Sequence, residues 1–382
     1  MSRPTLFPTQ EIGSLAKPRW QLLGQRGETV DERGREEFRR WNARTPFADA
    51  ESPAARSLLA GRSHEVDPAA IRDLGALFLL RYLETAGLDR VYDGEARRIE
   101  MYEHPIRQMR GFRFLGHVRS FDNKYYLKAS AVGEVELEQP YHLEEFDFVR
   151  AHARAVPKVP VTGPYTLAEW SYNEHYLRRQ SGWKGRDARR RAEREFVLDI
   201  ARKAIRPTLQ ALIRHGASVI QIDEPAAGTH PHEADLVAEG FNAATEGLDA
   251  TFSMHICFSD YRTLFPAILE AKACRQWAWE FANRDTPEHD GYETLKLFRE
   301  YGDTREIGLG VLDVHRDEVE TPERVADRIL RASKLLGDPS RIWVNPDCGL
   351  RTRSLEVTWK KLNAMVEGAR RARAAIEGPA SR

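Results

Sequence analysis

Cysteine is scarce: Cys257, Cys274 and Cys348 are the only three in 382 residues. An odd and small number excludes a disulfide framework and reads as a reducing, cytoplasmic setting. There is no uninterrupted apolar run of about 18 residues, so no membrane-spanning helix is expected. Residues 1–10 carry no apolar stretch behind a basic one, which argues against a secretory leader. Net charge is missing too. Lys plus Arg and Asp plus Glu each total 58, which removes the bulk electrostatic case for nucleic acid or an anionic membrane as partner. No Gly-x-Gly-x-x-Gly follows a first strand, which weakens a dinucleotide-binding sheet, and no repeat of fixed period is visible.

What the sequence has is alternation. Residues 68–86 place Ile71, Leu74, Phe78 and Tyr82 at helical spacing, with Leu79 and Leu83 widening the stripe and Gly87 as the C-cap. From residue 158 onward, apolar strands alternate with helical patterns. Strands are expected at 158–164, 217–225, 251–257, 276–281, 306–314 and 341–345, and helices at 186–214, 233–244, 261–272, 322–336 and 356–374. With short strands at 11–14 and 88–95 the count reaches eight, and serial strand-helix units favour a single closed (β/α)8 TIM barrel over residues 1–382, with a doubly wound open sheet as runner-up. Two segments fall outside the rhythm. Residues 16–66 are polar and rich in Arg, Gly and Pro, with one helix expected near 36–41, and read as an arm outside the core. Residues 112–137, aromatic and β-branched with a turn at Asp122-Asn123, read as an inserted β-hairpin.

In a barrel the strand ends lie on one rim, where such folds carry their active sites. His255 and Cys257 stand at alternate positions of one strand, so both side chains project to one face. Glu280 ends the next strand in Trp277-Ala278-Trp279-Glu280, and the last runs into Asn345-Pro346-Asp347-Cys348-Gly349. Imidazole, thiolate and carboxylate from three strand ends form a zinc-type donor set, His255, Cys257, Glu280 and Cys348. Cys274, in a helix-to-strand connection, is expected to be structural. Glu280 could alternatively pair with Arg284, Glu95 with Arg97 or Arg98, and Asp223 could cap a helix.

Seven segments, in order along the chain, look like a known family. Glu11-Ile12-Gly13-Ser14, Asp93-Gly94-Glu95, Thr162-Gly163-Pro164, Ile222-Asp223-Glu224-Pro225-Ala226, His255-Ile256-Cys257, Gly310-Val311-Leu312-Asp313-Val314-His315 and Trp343-Val344-Asn345-Pro346-Asp347-Cys348-Gly349-Leu350 resemble the catalytic half of cobalamin-independent methionine synthase. The resemblance implies zinc at the same four ligands. It also implies that Ile12, Ser14, Glu95 and Asp223 hold the backbone of homocysteine, that His315 donates a proton to the departing methyl carrier, and that Trp170 stacks on that carrier. Homocysteine and methionine are the small-molecule partners so implied.

On the donor side the match breaks. The full-length family has a second barrel that this sequence lacks, its Arg-Cys pair is replaced around Lys124-Tyr125, and its acid after Asp-Glu-Pro-Ala falls near Thr229. That pattern resembles the short single-barrel core methionine synthases and implies methylcobalamin or a methylated corrinoid protein as donor. The basic stretch at 178–194, including Arg178, Arg179, Lys184, Arg186, Arg189, Arg190, Arg191 and Arg194, is either a dock for such a protein or a solvated helix face. Alternatives are a methyl-tetrahydrofolate-dependent homocysteine methyltransferase, a related zinc transferase or lyase acting on another thiol such as coenzyme M, and a non-catalytic zinc protein.

Overall fold

The computed structural model describes residues 5–49, 52–119, 125–180 and 185–378. Eleven strands lie among them: β1 (Arg90–Val91), β2 (Met109–Arg119), β3 (Tyr125–Leu137), β4 (Val156–Pro157), β5 (Val159–Thr162), β6 (Tyr172–Asn173), β7 (Val219–Asp223), β8 (Thr251–Ile256), β9 (Cys274–Trp279), β10 (Glu306–Leu312) and β11 (Ile342–Pro346). The fold is α/β. Its largest sheet is parallel throughout, in the order β11-β10-β9-β8-β7-β5. Val219-Ile220-Gln221-Ile222-Asp223 is buried along its whole length, as expected of a parallel strand covered on both faces.

Two further pairings join the edges of that sheet. Thr9 bridges Val344 of β11, and its neighbour Gln10 bridges Arg90 of β1, both parallel. β1 pairs with β4, and only Lys158 separates β4 from β5; its backbone N–H donates to the Val91 carbonyl at 2.9 Å. The expected first strand at 11–14 is therefore displaced: pairing occurs at Thr9 and Gln10, and Glu11 to Ser14 form the loop that leaves it. The strand expected over 88–95 shortens to β1, because Asp93 onward turns away with Gly94 and Glu95 both at positive φ.

Helix Pro68–Ala86 matches its expected bounds, with Gly87 in the left-handed conformation at its end. Helices Pro322–Leu336 and Leu355–Glu377 also form as the pattern predicts. The expected helix at 186–214 is one helical run interrupted by a π turn at Ile200–Ile205. Pro207 explains the interruption, since its ring clashes with the carbonyl four residues earlier. The helix expected at 261–272 does not form. Pro266 cuts it into two 3₁₀ turns, Tyr261–Leu264 and Ala267–Glu270.

The arm at 16–66 holds more regular structure than the one helix expected there. It folds into helices Arg19–Gln25, Glu32–Arg44 and Pro53–Leu59, and it is continuous with the core. Buried Trp20 and Trp41 pack on Phe78, Phe38 packs on Trp20, and Trp41 and Tyr82 meet Trp359 at ring-centroid distances of 5.8 and 5.1 Å. Each such buried ring is worth about 3–5 kcal/mol against truncation to Ala. The hairpin β2–β3 is antiparallel, as expected; the Asp122-Asn123 turn lies outside the described residues. Among the described residues no helix is long and apolar enough to cross a membrane.

Candidate active site

Register sets the site's floor. Thr162, Asp223, His255 and Ala278 are successive neighbours across β5, β7, β8 and β9, so Cys257 and Glu280 emerge one step beyond the sheet, facing Cys348 from the loop after β11. The ligand atoms of His255, Cys257 and Cys348 all lie within 4.8 Å of one another. His255 Nδ1 donates to the Ala278 carbonyl at 2.8 Å. With Nδ1 so engaged, Nε2 is the nitrogen left facing the Cys348 sulfur, the arrangement a metal-ligating imidazole requires.

Charge at the cluster fits a cation. The Cys257 thiol donating to Cys348 and the neighbouring His255 hold the Cys348 thiol well below its usual range, despite burial, while Cys257 is pushed up by the same contact and by burial. Burial raises Glu280 to about 7, helped by the negative charge on Cys348. Glu280, the fourth expected ligand, falls outside that 4.8 Å cluster, and both its oxygens are engaged: Asn283 Nδ2 donates to Oε1 and the Phe258 N–H to Oε2 at 3.2 Å. It forms no ion pair with Arg284 among the described residues. A buried imidazole nitrogen, two sulfurs and a nearby carboxylate are a donor set that fits Zn2+.

Side chains that sequence reasoning missed hold this set in place. Asp347 is fully buried and accepts from the backbone N–H groups of Phe281, Ala282 and Asn283 at 3.0, 2.9 and 2.7 Å, tying the Cys348 loop to the Glu280 loop. Tyr261 donates to the Ile256 carbonyl and accepts from the Glu280 N–H, both at 2.8 Å. Asp347 lies next to a ligand within Asn345-Pro346-Asp347-Cys348 and was legible there; Tyr261 carried no signal, because the residues around it were read as helix.

Above the cluster is a cavity lined by Ile12, Ser14, Glu95, Asp223, Trp170, Phe258, His315 and the metal-type ligands His255, Cys257 and Cys348. Every expected substrate residue and both donor-side residues therefore face one space. Asp223 accepts from Gln221 Nε2 at 2.7 Å and caps no helix. Burial raises its carboxyl to about 7, against the pull of His255. It is Glu224 that caps, accepting from the N–H groups of Tyr165 and Thr166 at 3.1 and 2.7 Å. Gln221 also donates to the Ile12 carbonyl at 2.6 Å, and buried Lys158 donates to Gln221 Oε1 at 2.7 Å and to the Glu11 carbonyl. These two polar residues inside the sheet orient Asp223 and the 11–12 backbone.

Glu95 lies 3.7 Å from Arg98, whose guanidinium is committed to Glu145 at 2.5 Å. Arg97 pairs with Asp73 instead. Glu95 and Phe258 are both non-glycine residues at positive φ, 59° and 53°, and both line the cavity, where such strain is characteristically found. Phe258 sits 4.6 Å from the His315 ring, centroid to centroid, and His315 Nε2 is buried without a partner. Trp170 stacks on Tyr126 at 5.4 Å with planes 27° apart. Thr229 is turned to the Ala226 carbonyl at 2.8 Å and does not line the cavity. Lys124 lies outside the described residues.

The basic stretch at 178–194 is a solvated face. Arg178 pairs with Glu174, Arg179 with Glu195, Arg190 with Asp235 and Arg194 with Glu239; Lys184 lies outside the described residues. Such exposed pairs are worth little individually, but they balance Arg178, Arg179, Arg190 and Arg194 with acids of the same surface.

The family described as the cobalamin-independent synthase catalytic domain matches residues 62–371. A methionine synthase from Thermoplasma acidophilum is 41% identical over 302 residues, covering 75% of this chain and 85% of that protein. One from Pyrococcus furiosus is 34% identical over 373 residues, covering 97% and 94%. Among solved structures, a B12-independent methionine synthase from Shewanella sp. W3-18-1 in complex with selenomethionine superposes with a TM-score of 0.72 at 23% identity, covering 98% of this chain and all of that one. That likeness is one of fold. A family described as cobalamin-independent conflicts with the expected methylcobalamin donor and gives no support to a corrinoid partner.

Proposed function

Because this chain belongs to the family of cobalamin-independent methionine synthase catalytic domains, we propose that it transfers a methyl group to the thiol of L-homocysteine, with methyl-tetrahydrofolate as donor and zinc at His255, Cys257, Glu280 and Cys348. The observation that carries this reading is the single cavity in which two acids, a metal-type cluster, an aromatic platform and a histidine converge. The sheet's edge pairings through Thr9 and Gln10 support taking residues 1–382 as one eight-stranded barrel, with these groups on its C-terminal rim.

Zinc bound at the four ligands would supply a Lewis acid that keeps an acceptor thiol deprotonated at neutral pH. The chain's own residues do the rest. Glu95 and Asp223 receive the ammonium of the amino acid, and the Ser14 hydroxyl with the backbone at Ile12 fixes its orientation. The ring of Trp170, backed by Tyr126, offers a flat face on which a pterin stacks. The new S–C bond forms as the N–C bond of the donor breaks, and the electron pair left on the donor nitrogen takes a proton. His315 is the group positioned to deliver it, with its Nε2 free and Phe258 against its ring. A thiol lacking an ammonium gives Glu95 and Asp223 nothing to receive, which disfavours a coenzyme M-type acceptor.

A donor screen tests the reading. Zinc-loaded protein supplied with L-homocysteine is expected to form methionine with methyl-tetrahydrofolate, measured by mass spectrometry, and not with methylcobalamin. Methionine formed with methylcobalamin alone would overturn the folate assignment while leaving the acceptor side standing.

A further inference from the structure

A second cavity, of about 380 Å3, adjoins the first and shares Ser14, Glu95, Glu100 and Arg351 with it. Its cations differ in how they are used. Arg98 is buried and committed to Glu145, and Lys17 Nζ donates to the Arg98 carbonyl at 2.7 Å. Arg351 has neither hydrogen bond nor ion pair among the described residues, although Arg353, two positions on, pairs with Asp317 at 2.7 Å. Arg351 is exposed at the lip between the two cavities.

Its loop is pinned beside the amino-acid end of the site. A Cβ at Gly349 would lie 2.9 Å from both the N and the O of Ser14, so only glycine allows the Cys348–Arg351 loop to rest directly on the Ser14 backbone. In an amino acid the carboxylate shares its carbon with the ammonium, so an ammonium held by Glu95 and Asp223 brings the carboxylate up against Glu95 and Glu100. Ser14 can donate hydrogen bonds to it but brings no positive charge. With Arg98 and Lys17 already engaged, a carboxylate set beside these acids is best met by a cation that has no partner yet, and guanidinium is the group whose fork matches a carboxylate.

We propose that Arg351 receives the α-carboxylate of the acceptor, closing over it from the lip that separates the two cavities. The assignment rests on the reading of the acceptor as an amino acid. The same chemistry could come from a carboxylate on the methyl donor, and the test separates the two.

Zinc-loaded wild-type, Arg351→Gln and Arg351→Lys proteins are compared with L-homocysteine and with its carboxamide. Arg351→Gln is expected to raise KM for homocysteine by roughly 10- to 100-fold, the value of a charge-assisted hydrogen bond, with kcat unchanged and KM for the donor unchanged. The carboxamide is expected to be a poor acceptor for the wild type and to lose nothing further in Arg351→Gln; Arg351→Lys recovers part of the loss. Calorimetry should show methionine binding weakened by a similar factor. Equal losses for the acid and the amide would overturn the assignment, as would a rise in the donor's KM in place of the acceptor's. A wild type inactive on homocysteine would remove the underlying reading, whereas an active one that does not discriminate acid from amide overturns the Arg351 assignment alone.

Discussion

Cys348→Ser is expected to fold and to lose both its metal and its methyl transfer. Ser is smaller and keeps the backbone, and the Asp347 hydrogen bonds that shape the loop are untouched. What disappears is the thiolate toward which Cys257 and His255 are both turned. A hydroxyl does not ionise at neutral pH and is a hard, weak ligand for zinc. Lewis-acid activation of the acceptor is worth several kcal/mol, so the loss in kcat/KM should be on the order of 10³-fold or more at 1.36 kcal/mol per decade. Zinc per chain, measured by mass spectrometry after dialysis, should fall from near one to near zero. Cys274→Ala is the control. Cys274 is buried at the start of β9, with its sulfur turned to the Gln276 carbonyl at 3.2 Å and outside the cluster, so its loss should leave zinc content and methyl transfer intact.

Asp223→Asn should act on the acceptor without touching the metal. Asn keeps the shape and can still accept from Gln221, so β7 is undisturbed. It cannot complement an ammonium. Removing one member of a buried, hydrogen-bonded charge pair costs about 2–5 kcal/mol, which predicts a loss in kcat/KM for homocysteine on the order of 10²- to 10³-fold. Zinc content is expected to stay at the wild-type value. Loss of zinc together with activity would mean that Asp223 acts through His255, its register partner on β8, and not through the substrate.

The metal-type ligands were legible because they sit at the ends of strongly apolar strands. His255 and Cys257 share a face by simple alternation, and the burial of β7, β8 and β9 is what makes their period readable. The first strand was misplaced by two residues because Thr9 and Gln10 have no apolar pattern; their pairing depends on the edges of β1 and β11, which are distant in sequence. The arm at 16–66 looked external because its mean composition is polar. Its buried side is a thin stripe, Trp20, Phe38, Trp41, Phe47 and Leu58, divided among three short helices and the loops between them, so that only Phe38 and Trp41 show helical spacing. Lys158 and Gln221 were invisible for a different reason: a polar side chain inside a strand declares its role only when its hydrogen-bond partners come from other strands. The donor is the least legible part, because it is read from the missing second barrel and from the changed positions near Lys124-Tyr125 and Thr229, which say what a folate site lacks and not what replaces it.

Zinc K-edge absorption spectroscopy of the loaded protein, with and without L-homocysteine, bears most directly on the proposal that a metal held by these ligands would receive the acceptor's thiol. Two sulfur neighbours, from Cys257 and Cys348, are expected without the amino acid, and three with it, while homoserine, which lacks the sulfur, should leave the count at two. A sulfur count that does not change when saturating homocysteine is added would contradict an acceptor-binding metal and indicate a closed structural site.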